Sequence, residues 1–259
     1  MRQLTAFFKK EYMEAMRGGK FPVLVIVFLL FGIMNPAMAK LTPWIMETVS
    51  DSLAKTGLTV TEVEVDAMTS WTQYYKNIPV AVLVFVFVLM FGGILTAEYQ
   101  KGTLINMLGK GMKRWKILVS KLTFLLICWT FVYWLCYGIT YGYNAWFWDN
   151  AVAKHVWFAA SCIYVAGIWL ITLLILLSVP AGTASVAVLC VGGVCGALYA
   201  AGMWPEIKQY LPIKLFEAFS LLSGEGIVSE YQSAVTVALF VSVIHVIAAV
   251  LLFNKKSVV

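Results

Sequence analysis

The sequence has 259 residues, of which 61% are hydrophobic and only 12% are charged. Soluble domains are about 45–50% apolar, so this composition excludes an ordinary soluble domain and predicts an integral membrane protein. The formal net charge of +6 comes from Lys and Arg that alternate with hydrophobic runs. This pattern is typical of membrane topology, and we expect no nucleic-acid partner.

The chain begins with a pattern typical of an amphipathic helix on the membrane surface, over residues 2–18. Its apolar face carries Leu4, Phe7, Phe8, Tyr12, Ala15 and Met16, opposite Arg2, Lys9, Lys10, Glu14 and Arg17. Glu11 points into the apolar face, where a carboxylate needs a partner or a wet environment. Gly18 and Gly19 then end the helix and let the chain turn into the bilayer.

Six hydrophobic runs without Asp, Glu, Lys or Arg follow, each close to the roughly 20 residues that a helix needs to cross a bilayer. We predict spans at about residues 21–39, 77–97, 122–142, 156–177, 183–202 and 233–253. A signal peptide ending at Ala37-Met38-Ala39 is the alternative for the first run. The preceding segment is too long for this and contains two glutamates, unlike a short basic n-region.

Polar segments separate these spans. Residues 41–76 are polar and acidic, and we expect them to be partly helical before Trp71, Tyr74 and Tyr75 return the chain to the membrane interface.

Between Lys154 and Glu206 the chain has no charged residue, and the Pro and Gly of residues 178–182 mark the turn between two spans. Residues 203–232 contain an amphipathic stretch, L-F-E-A-F-S-L-L, that is too acidic and too short to cross the bilayer, so we predict short external helices there, with a re-entrant segment as the alternative.

The distribution of charge predicts the orientation. The N-terminal segment, residues 98–121 and the C-terminal tail hold 13 of the 19 Lys and Arg but only three of the 13 acidic residues. By the positive-inside rule these segments face the cytoplasm, so we expect a multi-pass protein of the cell membrane with both termini cytoplasmic.

Residues 98–121 form a basic, helix-prone segment between spans two and three, and we expect it to lie in water as a docking surface. Its leucines, Ile105 and Met107 offer apolar side chains to a protein groove. Glu98 stands alone as an acid at the end of span two, so we predict an ion pair that ties this span to the loop.

The pattern Glu98-x-x-x-Gly102-Thr103-Leu104-x-x-Met107-Leu108, followed by Lys113-Arg114-Trp115-x-Ile117-Leu118-x-x-Lys121, resembles the cytoplasmic loop of type 2 ABC export permeases. The resemblance implies one all-α permease domain over residues 1–259. It would have six transmembrane helices, an N-terminal elbow helix, a cytoplasmic coupling helix and short external helices between spans five and six. The implied ATPase-docking residues are Gly102, Thr103, Leu104, Ile105, Met107, Leu108, Lys113 and Arg114. Where the family often has a proline before its Ser-Arg pair, this chain has Gly111 and Met112.

The sequence lacks the G-x-x-x-x-G-K-[ST] motif, and neither Gly19-Lys20 nor Gly109-Lys110 is followed by Ser or Thr. We therefore expect no enzymatic activity and no cofactor on this chain. By the resemblance, ATP and Mg²⁺ belong to a separate ABC ATPase subunit in two copies, and a second permease chain, identical or homologous, completes the assembly.

Three other features have two interpretations each. Gly192 and Gly196 form a G-x-x-x-G pair, which allows either a dimer contact or packing within the chain. An aromatic stripe in span three either lines a transport path or packs, and it consists of Trp129, Tyr133 and Tyr137, continued by Tyr141. His245, in the middle of span six, is either functional or a neutral hydrogen-bonded side chain.

The five cysteines lie in apolar runs without C-x-x-C spacing, so neither a metal site nor a disulfide framework is indicated. We expect an ATP-driven bacterial exporter of a hydrophobic or amphipathic substrate, such as a bacteriocin peptide or a drug-like amphiphile. The alternative is a non-transporting membrane protein, such as an immunity or sensor subunit.

Overall fold

The computed structural model describes residues 2–54, 65–77, 80–109 and 111–256, and within these ranges the chain forms helices without a β-strand. The α-helices are α1 (Arg2–Arg17), α2 (Lys20–Ala54), α3 (Ala67–Thr72), α4 (Val80–Phe91), α5 (Thr96–Gln100), α6 (Thr103–Gly109), α7 (Arg114–Phe147), α8 (Val156–Ser178), α9 (Ala184–Ala201), α10 (Pro205–Lys208), α11 (Phe219–Ser223) and α12 (Val228–Lys255). A π-helical turn at Gln73–Asn77 and 3₁₀ turns at Asn150–Val152 and Pro212–Glu217 complete the described secondary structure.

Six stretches of the described chain are helical, long and apolar enough to cross a membrane, which confirms the predicted fold class. They are Lys20–Thr48, Val82–Gln100, Arg114–Phe147, Val156–Ser178, Ala184–Ala201 and Val228–Lys255. The longest helices run past the ends of the apolar runs, since charged residues are good helix formers too. At about 1.5 Å per residue, α7 is about 50 Å long, so it extends well beyond a hydrocarbon layer of about 30 Å.

Helix α2 passes through Lys40 and Pro43 to Ala54, where we expected a polar segment from residue 41. Pro36 lies inside this helix and has no N–H, so the Gly32 carbonyl loses its usual partner within the helix. The hydroxyl of Thr140 on α7 donates to this carbonyl at 3.0 Å. The hydrogen bond satisfies the carbonyl and fixes α2 against α7. The predicted polar residues 55–64 lie outside the described chain.

The aromatic stripe of α7 packs inside the protein and does not line a path. Trp129, Tyr133 and Tyr137 are completely buried. The Trp129 indole N–H donates to the carbonyl of Tyr164 at 3.1 Å, and the Tyr133 hydroxyl donates to the carbonyl of Ala160 at 2.6 Å. These bonds join α7 to α8, so pathway lining was the wrong interpretation and packing is the right one.

The side chains of Trp71, Tyr74 and Tyr75 were expected at the membrane interface, but they are buried. The ring centroid of Trp71 lies 5.7 Å from that of Tyr137, and the ring of Tyr141 is next to it. These large rings pack together in edge-to-face and tilted arrangements, which bury a large apolar area inside the protein. Burial also raises the pKa of Tyr74 and of Tyr75 well above the usual range, so both hydroxyls stay neutral.

The turn between spans four and five lies where the sequence predicts it. Helix α8 ends at Ser178, and α9 begins at Ala184. The Thr183 side chain accepts a hydrogen bond from the Val186 N–H and so caps α9. After α9 come the expected short helices, α10, a 3₁₀ turn and α11, before α12 starts.

We predict that Gly167→Ala destabilises the protein by about 1–3 kcal/mol, because overpacking displaces neighbouring side chains. A Cβ at residue 167 would lie 2.2 Å from the Trp129 ring. The matched control is Gly138→Ala on α7, where no atom of the described chain lies within 4 Å of the added carbon. Thermal unfolding in detergent should show a lower midpoint for Gly167→Ala only, and equal midpoints would contradict the packing.

Candidate functional site

Helix α6 lies between two glycine turns at one end of the helix bundle. Gly102 has φ +65° before the helix, and Gly111 has φ +80° after it. The Gly111 N–H donates to the Leu108 carbonyl at 2.9 Å, and the Met112 N–H donates to the Met107 carbonyl at 3.4 Å. This pair of bonds is a Schellman cap with glycine in its left-handed position, so Gly111 supplies a defined turn without a proline.

The predicted docking residues of α6 do not all face outward. Leu104 is completely buried, and Met107 and Leu108 are half-buried against the core. Ile105 is 51% exposed. A helix of seven residues that rests on a protein body has to bury one side, and Leu104 lies on that side. The prediction that Leu104 is presented to a partner was therefore wrong, whereas Ile105 is accessible. Lys110 lies outside the described residues.

Four charged side chains meet beside α6 and form the charge cluster, which consists of Lys10 and Glu11 on α1, Glu98 on α5 and Lys121 on α7. The Lys121 ammonium lies 2.9 Å from Glu11 Oε1 and 3.1 Å from Glu98 Oε1. The Lys10 ammonium lies 2.5 Å from the same Glu98 oxygen. The ion pair predicted at Glu98 is thus present in the structure, and Glu11 has the partner that its position requires.

The inner members of the charge cluster are shielded from water. Lys121 is 1% exposed, and Glu11 and Glu98 are each 5% exposed. Residues 114–121 were expected in water, yet they form the first turns of α7, and Lys121 is in the interior. Burial by itself would lower the pKa of Lys10, but the hydrogen bond to Glu98 and the charges of Glu11 and Glu98 outweigh it and raise this pKa.

Glu14 borders the charge cluster on its outer side. Partial burial would raise the pKa of Glu14, but the Lys10 ammonium, whose Nζ lies 3.2 Å from Glu14 Oε2, outweighs this effect and lowers the pKa. The Glu14 carboxylate therefore stays charged and adds to the negative charge around Lys10.

A second set of contacts holds the C-terminal end of α12 at the same end of the bundle. The Arg114 guanidinium donates to the carbonyls of Phe253 and Asn254 at 3.0 and 3.3 Å, and also to that of Lys256. Lys256 in turn donates to the Val179 carbonyl at 2.6 Å. Arg114, which was expected to contact a partner, thus caps α12 within the chain. Lys113 is exposed.

Gly192 and Gly196 lie on an open face of α9. A Cβ built on either glycine meets no atom of the described chain within 4 Å. Among the described residues, no part of the chain therefore packs against this pair.

His245 on α12 lies with its Nδ1 3.3 Å from the Thr172 hydroxyl of α8. This geometry matches the interpretation of His245 as a hydrogen-bonded side chain between two helices.

Only part of the charge cluster was predictable from the sequence. Glu11 was recognisable because it interrupts an apolar face, and Glu98 because it stands alone at the end of a span. Lys10 and Lys121 were counted with the basic surface, since their sequence positions do not show that they converge. The signal that could have found Lys121 is its place next to the uninterrupted apolar run of span three.

The six apolar spans of the described residues and their charged, helical end define a multi-pass α-helical membrane protein. A family model described as ABC-2 family transporter protein matches residues 5–215, which is most of the chain. The chain belongs to this family and is a membrane permease of the ABC transporter type. No curated protein and no solved structure matches the chain.

We predict that Glu98→Gln destabilises the protein by about 3–5 kcal/mol, because it leaves buried ammonium charge without one of its partners. The control, Glu14→Gln, changes a carboxylate whose side chain is 57% exposed, and we expect an effect of about 0–1 kcal/mol. Chemical unfolding in detergent measures both. A Glu98→Gln variant as stable as the control would contradict the structural importance of the cluster.

Proposed function

We propose that the chain is the permease subunit of an ATP-driven exporter and that a separate ABC ATPase docks on α6. The geometry of α6 supports this proposal. It is a short helix between two glycine turns, with Ile105 accessible on its outside and Leu104 anchored in the protein on its inside. A partner that holds the outside of α6 can therefore pull on the helix bundle.

The charge cluster would transmit a movement of α6 to other helices of the protein. Helix α6 follows α5 directly, and Glu98 of α5 contacts both α1 and α7 through Lys10 and Lys121. Movement of α6 would thus displace the N-terminal helix and the third span together. ATP binding by the partner would bias the bundle between two packings, which is the usual basis of such switching.

We place this end of the bundle in the cytoplasm. The positive-inside distribution supports this orientation, since most Lys and Arg are in the segments that meet here. ATP and Mg²⁺ would then be bound by two copies of the ATPase subunit on the cytoplasmic side, where nucleotide is available.

We assign the open face of α9 to a second permease chain, identical or homologous. Gly192 and Gly196 allow close approach of another helix, and Leu189 and Tyr199 are 74% and 70% exposed beside them. The substrate would pass between the two permeases. Because the aromatic stripe of α7 is buried, the path would be lined by residues at the interface of the two chains. The apolar face of α9 at this interface favours a hydrophobic or amphipathic cargo, either a peptide or a drug-like molecule. This cargo would be moved out of the cell.

We predict that Ile105→Asp lowers recruitment of the ATPase by at least about tenfold, since a buried contact of this kind is worth more than about 1.4 kcal/mol. The tagged chain is purified from its native host, and co-purifying proteins with a G-x-x-x-x-G-K-[ST] motif are quantified. Leu104 is not a suitable site for this test because its replacement would disturb the fold.

The matched control is Ile207→Asp on α10, where the side chain is 48% exposed. It introduces the same charge in the segment between α9 and α12 and should leave recruitment unchanged. Equal recruitment by wild type and Ile105→Asp would contradict docking on α6. If no ATPase accompanies the wild-type chain, the non-transporting alternative, an immunity or sensor protein, gains support.

We predict that Gly192→Leu with Gly196→Leu shifts the permease from dimer to monomer, because the added side chains hold the second helix away. The control is Gly138→Leu with Gly142→Leu on α7, where the described chain also leaves open space. Mass photometry of detergent-solubilised protein reports the oligomeric state. A dimer fraction unchanged by the α9 substitutions would contradict this interface.

A further inference from the structure

A cavity of about 620 Å³ opens beside the charge cluster, between α1, the turn that follows α4, and the first turns of α7. Its inner wall includes the charge cluster and the apolar side chains of Phe91, Ile94 and Phe124. The cavity therefore combines a charged region with an apolar one, as a site for an amphiphile requires.

Three cations line this cavity without an ion pair or side-chain hydrogen bond within the described chain. They are Arg17, Lys20 and Lys101, and each is exposed. The whole lining contains five Lys and Arg against three Glu. The excess of positive charge favours an anionic ligand, and three cationic side chains around one opening suit a phosphate group.

The inner wall also contains a buried hydrogen-bond acceptor, the Glu98 carboxylate oxygen Oε2. Glu98 is 5% exposed, and its Oε2 has no hydrogen-bond partner in the described chain, because Lys10 and Lys121 both contact Oε1. A buried carboxylate oxygen without a partner is costly. A ligand with a hydroxyl group beyond its phosphate would satisfy this oxygen, whereas a bare phosphate would bring a second negative charge towards it.

The two helices that lead to the cavity, α1 and α2, also carry exposed apolar side chains. Tyr12, Met13 and Met16 of α1 are 46%, 38% and 38% exposed, and Val23 and Ile26 of α2 are 50% and 56% exposed. An acyl chain can lie along these apolar side chains while its headgroup enters the cavity.

We propose that this cavity binds the headgroup of an anionic glycerophospholipid of the phosphatidylglycerol type. The phosphate contacts Arg17, Lys20 and Lys101, and a headgroup hydroxyl donates to Glu98 Oε2. The lipid belongs to the leaflet on the side of the chain termini. This inference goes beyond the proposed function, since it holds whether or not an ATPase docks on α6.

Native mass spectrometry of the full-length chain in detergent tests the proposal, with phosphatidylglycerol, phosphatidylcholine or inorganic phosphate added at equal concentration. We expect one tightly bound phosphatidylglycerol per chain, favoured at least tenfold over phosphatidylcholine. The variant Arg17→Gln, Lys20→Gln, Lys101→Gln should lose this preference. Binding of inorganic phosphate that displaces phosphatidylglycerol equally well would overturn the lipid assignment in favour of a free anion.

The matched control removes the same charge outside the cavity, with Lys9→Gln, Lys113→Gln and Lys255→Gln, three residues that are also exposed. It should bind phosphatidylglycerol as wild type does, and an equal loss in both triple variants would overturn the site in favour of general surface charge. Thermal unfolding without lipid verifies that both variants are folded.

Phosphatidylmethanol has the same charge but no headgroup hydroxyl, and we expect it to bind at least fivefold more weakly than phosphatidylglycerol. Equal binding would overturn the role of Glu98 Oε2.

Discussion

Lys121 is buried against two glutamates, with the half-buried Lys10 at the edge of the cluster, and this group of charges constrains how the helices around it can pack. Charges removed from water are stable only when each has close partners, so Glu11, Glu98 and Lys121 fix the relative positions of α1, α5 and α7. The apolar contacts between these helices are not directional, whereas each ion pair requires a short distance between particular atoms. These ion pairs hold α1, α5 and α7 together at one end of the molecule, and the short helix α6 follows α5 in the chain.

The same end shows what can and cannot be predicted from the sequence. The apolar runs predict the spans, because the length of each run matches the thickness of a bilayer. They do not predict where helices end, and α7 begins at Arg114, inside the segment expected to be a loop. Which side of α6 is buried was also unpredictable, since seven residues contain too little periodicity. The contacts of Arg114 with the end of α12 were unpredictable too, since only the folded chain brings these residues together.

Three exposed surfaces of the described chain differ in their chemistry: the open face of α9, the cavity beside α1, and helix α6. The face of α9 is apolar and contains glycine, which is suited to another helix. The cavity beside α1 is charged as well as apolar, which is suited to a lipid headgroup. Helix α6 offers one exposed isoleucine and defined turns, which is suited to a protein groove. Each surface thus favours a different contact, and the charge cluster and Thr103 of α6 both line the cavity.

In the proposed orientation, the end held together by the charge cluster faces the cytoplasm, where an ATPase can reach α6. Labelling of single cysteines with a membrane-impermeant maleimide in intact cells tests it most directly, using Lys113→Cys and Ile207→Cys in a Cys190→Ser background, since the other four cysteines are buried. We expect that residue 207 is labelled in intact cells and that residue 113 reacts only after the membrane is permeabilised. Labelling of residue 113 in intact cells would contradict it.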